Sequence, residues 1–311
     1  MDARQVASDA SPLIGYAVED DGRLELVDKR LLAIADAGFT GAELYPGFWD
    51  VWLDGRLDAR RLDEYVDVLD KHRDRLRYTL HGPSSANVFD VANRDRHERV
   101  LRTGLEIAGI IDAETVVYHA GRRLPGGADT GLPMRQLMQQ ERSIVTNLVE
   151  GAGAWNGRLG IETWIMTGET EYSYSVWPDQ LAEQVSAIDH PRVGVTLDFG
   201  HLFVSSESFG FDYVDGVRTL SQSVVHFHVV DSFGRPSRTS GAYSQAKALE
   251  FGEGDIHLPP GYGSIPFEEI FGEVEFPRRP TFIAEVLGER FIRRLTEIRK
   301  ECERLVNLRD A

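Results

Sequence analysis

Residues 193–201 read VGVTLDFGH, an apolar and β-branched run closed by an aspartate, a phenylalanine, a glycine and a histidine. A short apolar run with no polar alternation describes a strand buried on both faces, as in parallel sheets. Asp198 is expected to end that strand and His201 to begin the loop beyond it. A carboxylate and an imidazole then meet where the strand stops.

The same grammar recurs on both sides. RYTLHGP (77–83), TVVYHAG (115–121), LGIETW (159–164), VVHFHVVD (224–231), GDIHLPPGYG (254–263) and TFIAEVL (281–287) each carry a metal-ligand residue type at or just after an apolar run. Together the seven runs set His81, His119, Glu162, Asp198, His201, His228, Asp255, His257 and Glu285 where strands end. The chain has nine histidines, and five of them belong to this set. His72, His97 and His190 fall in helices or at helix ends and read as ordinary hydrogen-bonded residues.

Strands are expected near 12–18, 41–45, 77–82, 115–120, 158–163, 193–198, 224–230 and 281–287, with amphipathic segments between them. Residues 61–76 align Leu62, Tyr65, Val66, Leu69 and Leu76 on one stripe, and 92–112 align Val100, Leu101, Leu105, Ile107 and Ile111. Further helices are expected near 134–154, 178–188, 212–222, 266–272 and 289–308. Eight strand–helix units in 311 residues fit a single-domain α/β (β/α)8 TIM barrel better than an open sheet. No glycine-rich dinucleotide fingerprint follows the first strand. Residues 121–133 and 232–265 read as long loops on the face where barrel active sites form.

Composition narrows the partners. An apolar fraction of 42% supports a large core. No apolar run approaches the roughly 20 residues that cross a bilayer, so no membrane partner is expected, and a cytoplasmic location is the default. The net charge of −16 disfavours a nucleic-acid surface. One cysteine, Cys302, excludes an internal disulfide and a thiolate metal cluster; it reads as a surface or half-buried thiol.

Imidazole nitrogens and carboxylate oxygens hold divalent metals. In a parallel barrel all strand ends converge on one mouth, so ligands distant in sequence become neighbours. Asp255-Ile-His257, if extended, aims both ligands the same way. Asp231 either orients His228 from behind or caps the loop. His226 is expected to pack outward, opposite His228, with a supporting role as the alternative; Glu43, ending the second strand, is expected to reach the site from below. Nine ligands exceed the needs of one ion, which suggests two or three; one tight ion with spare histidines on the substrate is the alternative.

The motifs TLHGPSSANV, VVYHAG, GIETW, TLDFGH, HVVD, DIHLPPGYGSIPF and IAEV resemble the xylose-isomerase-like barrel superfamily, which includes endonuclease IV and many sugar isomerases and epimerases. The resemblance spans about residues 12–290. It implies that the nine residues hold up to three ions, zinc or manganese, as in endonuclease IV. It also implies that Glu162, Asp198, His228 and Glu285 match the four ligands of the mononuclear epimerases, where the two glutamates move protons on opposite faces of a substrate carbon. Ser84 and Ser85 stand where the nuclease carries bulky residues that wedge into DNA, which sets the surface apart from that enzyme.

The expected function is therefore a metal-dependent isomerase or epimerase of a small sugar, sugar phosphate or polyol, with Glu162 and Glu285 as catalytic base and acid. A lyase or dehydratase, and a trinuclear phosphodiesterase or abasic-site endonuclease, are the alternatives. Tyr45, Phe48, Trp49 and Trp52 could stack on a sugar or pack a short helix or subunit contact. Trp164 could floor the pocket, and Arg235 and Arg238 could meet a substrate anion. The 45–52 and 232–265 loops are the expected contacts if the protein is a homodimer.

Overall fold

A computed structural model of the chain describes residues 12–18, 20–124, 131–166, 172–237 and 245–310. Eight parallel strands close into a barrel: β1 (Ile14–Ala17), β2 (Gly41–Leu44), β3 (Arg77–His81), β4 (Thr115–Tyr118), β5 (Arg158–Glu162), β6 (Val193–Asp198), β7 (Val224–His228) and β8 (Thr281–Ala284). Each strand pairs with its neighbours in sequence, and β1 closes on β8. This is the expected (β/α)8 barrel, and all eight strands lie inside the expected spans.

Around it lie α1 (Leu24–Asp36), α2 (Ala59–Asp70), α3 (Arg94–Ile111), α4 (Met134–Glu150), α5 (Pro178–Ile188), α6 (Phe199–Phe209), α7 (Tyr213–Leu220), α8 (Gln245–Phe251), α9 (Phe267–Glu273) and α10 (Leu295–Arg309). Their ends follow local chemistry. Asp58 caps α2 by accepting from the Arg61 N–H at 3.1 Å. Pro178 opens α5, and Asp189, left-handed at φ 47°, closes it.

Four features differ from expectation. Helix α1 is an addition: its buried stripe of Val27, Leu31 and Ile34 is interrupted by Arg30, itself buried and paired with Glu289 at 2.6 Å. Residues 199–209 form a helix rather than a loop, because the Asp198 side chain caps it. Helix α8 lies within the expected 232–265 loop. Cys302 is fully buried on the inner face of α10, not at the surface.

The large apolar core lies between the outer strand faces and the helices; near its centre Phe227 stacks on Phe199 and meets Phe271 and Phe282 edge to face. The barrel interior is different. Leu13, Ala17 and Ile283 form a small separate apolar plug. With them inside the barrel, Glu43, Thr79, Thr196, His226 and Thr281 are all buried, Glu43 level with Ala17 and His226 level with Thr281. Gly160 makes room there: a Cβ would stand 2.1 Å from Thr196 Oγ1. The pairing of β6 with β7 shifts between Val195 and Thr196, which sets Asp198 directly beside His228. Among the described residues no helix is long and apolar enough to cross a membrane.

Candidate metal centre

All nine ligand-type residues come to the C-terminal mouth of the barrel, in three sets. Within each set the candidate ligand atoms lie within 4.8 Å of one another: His81, His119 and Glu162; Glu162, Asp198, His228 and Glu285; and His201, Asp255 and His257. Glu162 belongs to two sets and so can bridge them.

The four-residue set is the most enclosed. Glu162, Asp198 and His228 are essentially inaccessible, and Glu285 is buried. His228 Nδ1 lies 2.8 Å from Glu162 Oε1, 3.2 Å from Glu285 Oε2 and 3.6 Å from Asp198 Oδ2. Asp198 divides its carboxylate between two tasks. Oδ1 accepts the His201 N–H at 2.6 Å, capping α6, while Oδ2 is buried with no hydrogen-bond partner. Glu162 Oε2 is likewise without one, although His119 Nε2 lies 2.8 Å away. Buried carboxylate oxygens left unpaired are costly, and a cation at this point would satisfy both.

The His201 set shows the ligand-orienting pattern on two rings. His201 Nδ1 sits 2.9 Å from the Thr163 carbonyl, and His257 Nδ1 sits 2.8 Å from the Glu285 carbonyl. Each Nδ1 donates to a carbonyl; without metal each Nε2–H donates to Asp255 Oδ2, at 3.1 and 2.9 Å, and loss of that proton leaves the Nε2 lone pair for a cation. His81 Nδ1 donates in the same way to the Gly82 carbonyl at 3.2 Å, leaving Nε2 to face His119 Nε2 at 3.3 Å. The donor set therefore fits divalent metal.

Asp255 and His257 correct one expectation. They do not end a strand; they lie in the connection between β7 and α9. Nor is the segment extended, since His257 is left-handed at φ 44°. That strained position turns the ring back toward Asp255. Asp231 holds the connection. Its carboxylate accepts from the backbone N–H groups of Ser232, Gly261, Gly263 and Ile265 at 2.8, 2.9, 2.7 and 3.1 Å. Loop capping is thus its task; the group behind His228 is Glu43, whose Oε1 lies 2.9 Å from His228 Nε2. His226 is also corrected. It points inward, because residues two apart on a strand share a face.

Crowding the charges shifts their titration. Burial would raise the Glu162 carboxyl, but the His119 and His228 imidazoles outweigh it and hold the pKa well below the usual range. Burial would lower His257, but Asp255 and Glu285 raise it to about 10. His201 and His228 are raised for the same kind of reason. Burial lifts Glu285 to about 7 against the pull of His228 and His257. His81, buried beside His119, is pushed down to about 4.

The aromatic and arginine candidates divide. Trp164 stands among the ligands, its ring 4.6 Å from His119 and 5.6 Å from His201. Trp49 does not: it is fully buried, stacked on Tyr65 at 4.4 Å, and presents no face to a substrate. Trp52 is half-buried, pairs with Leu57 in a two-stranded hairpin and packs against the outer core. Arg235 ties its own loop together, donating to the Phe251 carbonyl at 3.1 Å and lying over Phe233. Arg238 lies outside the described residues. Tyr45 is the site residue that ligand types alone did not single out. Its ring stacks on His81 and its hydroxyl donates to Glu285 Oε1 at 2.6 Å. Its position just after β2 was the available signal.

No curated protein matches the sequence. Among solved structures, a D-tagatose 3-epimerase-like protein superposes with a TM-score of 0.71 at 20% identity, over 96% of this chain and 99% of that one. A xylose isomerase-like TIM barrel protein from Mycobacterium smegmatis in complex with magnesium gives 0.65 at 17% identity, over 96% and 97%. A D-allulose 3-epimerase from Methylomonas sp. in complex with D-allulose gives 0.64 at 13% identity, over 96% and 98%. At these identities the likeness is one of fold. The family profile itself matches residues 31–308, and the chain belongs to the xylose isomerase-like TIM barrel family.

Proposed function

We propose that the protein is a divalent-metal-dependent isomerase or epimerase that moves a proton on a small sugar, sugar phosphate or polyol. The observation that carries this reading is that two glutamates, Glu162 on β5 and Glu285 just beyond β8, both approach His228 Nδ1, at 2.8 and 3.2 Å. Zinc or manganese, one to three ions, would be held by the three sets, with Glu162, Asp198, His228 and Glu285 as the innermost ligands. When bound, the metal would polarise adjacent carbonyl and hydroxyl oxygens of the substrate and so acidify the carbon between them. One glutamate, as carboxylate, takes the proton, and the other, as carboxylic acid, delivers its own to the carbon. Tyr45, donating to Glu285 Oε1, orients that carboxylate. Trp164, beside His119 and His201, offers an apolar wall for a sugar ring. Likeness of fold to the D-tagatose 3-epimerase-like protein and the D-allulose 3-epimerase supports the substrate class.

The test is solvent deuterium incorporation into a panel of ketoses by the metal-loaded protein. Exchange that disappears in Glu285→Gln with metal still bound supports the assignment; full exchange in that variant would remove Glu285 from it. A second reading, hydrolysis of a phosphodiester, is favoured by the completeness of all three ligand sets. Against it stand exposed Ser84 and Ser85 and the net charge of −16. Incision of an oligonucleotide carrying an abasic site, without exchange into any ketose, would decide for it.

A further inference from the structure

Beneath the innermost set lies a second buried cluster, Glu43, His226 and His228, of which only His228 belongs to the nine. Glu43, fully buried on β2, accepts from three directions inside the barrel. Thr79 Oγ1 donates to its Oε2 at 2.9 Å, His226 Nε2 lies 2.9 Å from the same oxygen, and His228 Nε2 lies 2.9 Å from Oε1. His226 Nδ1 meets the Thr281 hydroxyl.

With Glu43 ionised, the hydrogen bonds of this cluster fix where the Nε2 protons go. A carboxylate only accepts, so both histidines give it an Nε2 proton. His226, neutral, then offers Nδ1 as acceptor to the Thr281 hydroxyl. His228 gives its Nε2 proton to Glu43, so Nδ1 is the nitrogen left to face Glu162, Asp198 and Glu285: without metal its proton goes to Glu162 Oε1 at 2.8 Å, and as the neutral ring it offers a lone pair there. The residues below thus dictate which nitrogen of His228 faces the mouth.

The position is a costly one for a carboxylate. It occupies the barrel interior level with Ala17 of the apolar plug, where an aliphatic layer would usually sit. A buried charge is tolerated only with every lone pair engaged. Thr79 and His226 supply that engagement on Oε2, leaving Oε1 to His228 alone. Such a braced carboxylate orients the ring and increases its electron donation.

We propose that Glu43 is a positioning residue: it fixes His228 as an Nδ1 ligand of the innermost cation, and His226 with Thr79 and Thr281 holds it there. The inference rests on the reading of the barrel mouth as a metal site. It also separates the three sets, because neither His81 and His119 nor His201, Asp255 and His257 touch Glu43 through a hydrogen bond among the described residues.

The experiment uses the full chain, stripped of metal and titrated with cobalt(II) against a chromophoric chelator. Visible absorption reports the ligand field, and Asp255→Ala identifies the signal of the outer set. In Glu43→Gln, which keeps volume but loses the charge, affinity at the innermost set falls about tenfold to a hundredfold. Its absorption band shifts, while the outer set is unchanged. Melting of the metal-free variant shows that it is folded. Where it does not fold, Thr281→Val removes only the hydroxyl that His226 accepts; a severalfold loss confined to the innermost set is then expected, and no loss overturns the proposal. Full affinity with an unshifted band in folded Glu43→Gln, or equal loss at both sets, overturns it alone. If the unaltered chain binds no cobalt, the metal reading falls and this inference falls with it.

Discussion

Removing the Asp231 carboxylate is expected to unbuild one part of the site and leave another standing. Its four backbone donors are not equivalent. The bonds from Gly261 and Gly263 are partly exposed, so water replaces the lost acceptor. Those from Ser232 and Ile265 are buried, and each unpaired donor costs about 1–3 kcal/mol. Two such donors give roughly 2–6 kcal/mol by the same measure. Part is returned, because burial already holds this carboxyl above its usual range against the pull of all four N–H groups. A net loss of about 3 kcal/mol is a reasonable centre. At about 2.1 cal/mol/K per residue, a chain of 311 residues loses roughly 5 °C of Tm for that change. The functional effect is selective. Asp231 and Leu258 also bridge backbone to backbone, and the same connection carries Asp255 and His257. Asp231→Ala should therefore weaken metal at the His201 set while sparing the innermost set. Calorimetric melting of the metal-free protein and isothermal titration with zinc read the two effects. A Tm within 1 °C of the unaltered chain, or equal loss at both sets, would refute the reasoning.

Other outcomes follow from single features. Trp49→Ala should cost about 3–5 kcal/mol as a core truncation, seen as a lowered denaturation midpoint with unchanged KM in whatever protein remains folded; a raised KM at unchanged stability would restore a substrate role. Burial raises the Cys302 thiol to about 12, so a thiol reagent should label it only after denaturation, and stoichiometric labelling of the native chain would contradict its placement. Metal-free stability should fall as pH rises toward 10. His257 has a folded pKa raised from 6.5 to about 10, so its contribution is fully present below about 6.5 and is lost as pH climbs through the folded value. Bound metal needs the unprotonated ring, so the Tm gain from zinc should widen between pH 6 and 8.5; a narrowing gain counts against those histidines as ligands.

The barrel was legible because each strand carries its own signal. Buried parallel strands are short apolar runs, and all eight stand in the expected places. The ligand sets were legible for the same reason, since chain order and strand ends bring them together without knowledge of side-chain angles. What escaped depends on contacts across the barrel. Nothing local to Tyr45 says that its hydroxyl meets Glu285, some 240 positions away. Trp49 and Trp164 are both aromatic residues in loops, and only tertiary packing sends one into the core and the other to the mouth. Asp198 followed by a phenylalanine, a glycine and a histidine reads as a loop until the cap it makes for α6 is seen. His226 was legible in principle from the period of two that it shares with His228.

The burial of the sets orders how they should give up metal. In the innermost set, Asp198 and His228 are wholly inaccessible and Glu285 is 5% exposed. Three of its four residues are carboxylates, and Glu43 braces the fourth. In the outer set, the Asp255 side chain is 29% exposed, and its single carboxylate faces two neutral imidazoles. A chelator reaches an ion only through its exposed ligand, and a site with less negative charge holds a divalent cation less tightly. Chelation should therefore empty the His201 set first and the Glu162, Asp198, His228 and Glu285 set last. If proton transfer needs only the innermost ion, ketose exchange survives the first loss and ends with the second. If activity instead disappears with the outer ion, that ion takes part in the chemistry, and the phosphodiester reading gains over the epimerase one. Timed chelation, with metal content and exchange measured on the same samples, separates the two; simultaneous loss of all metal would show that burial does not rank these sites.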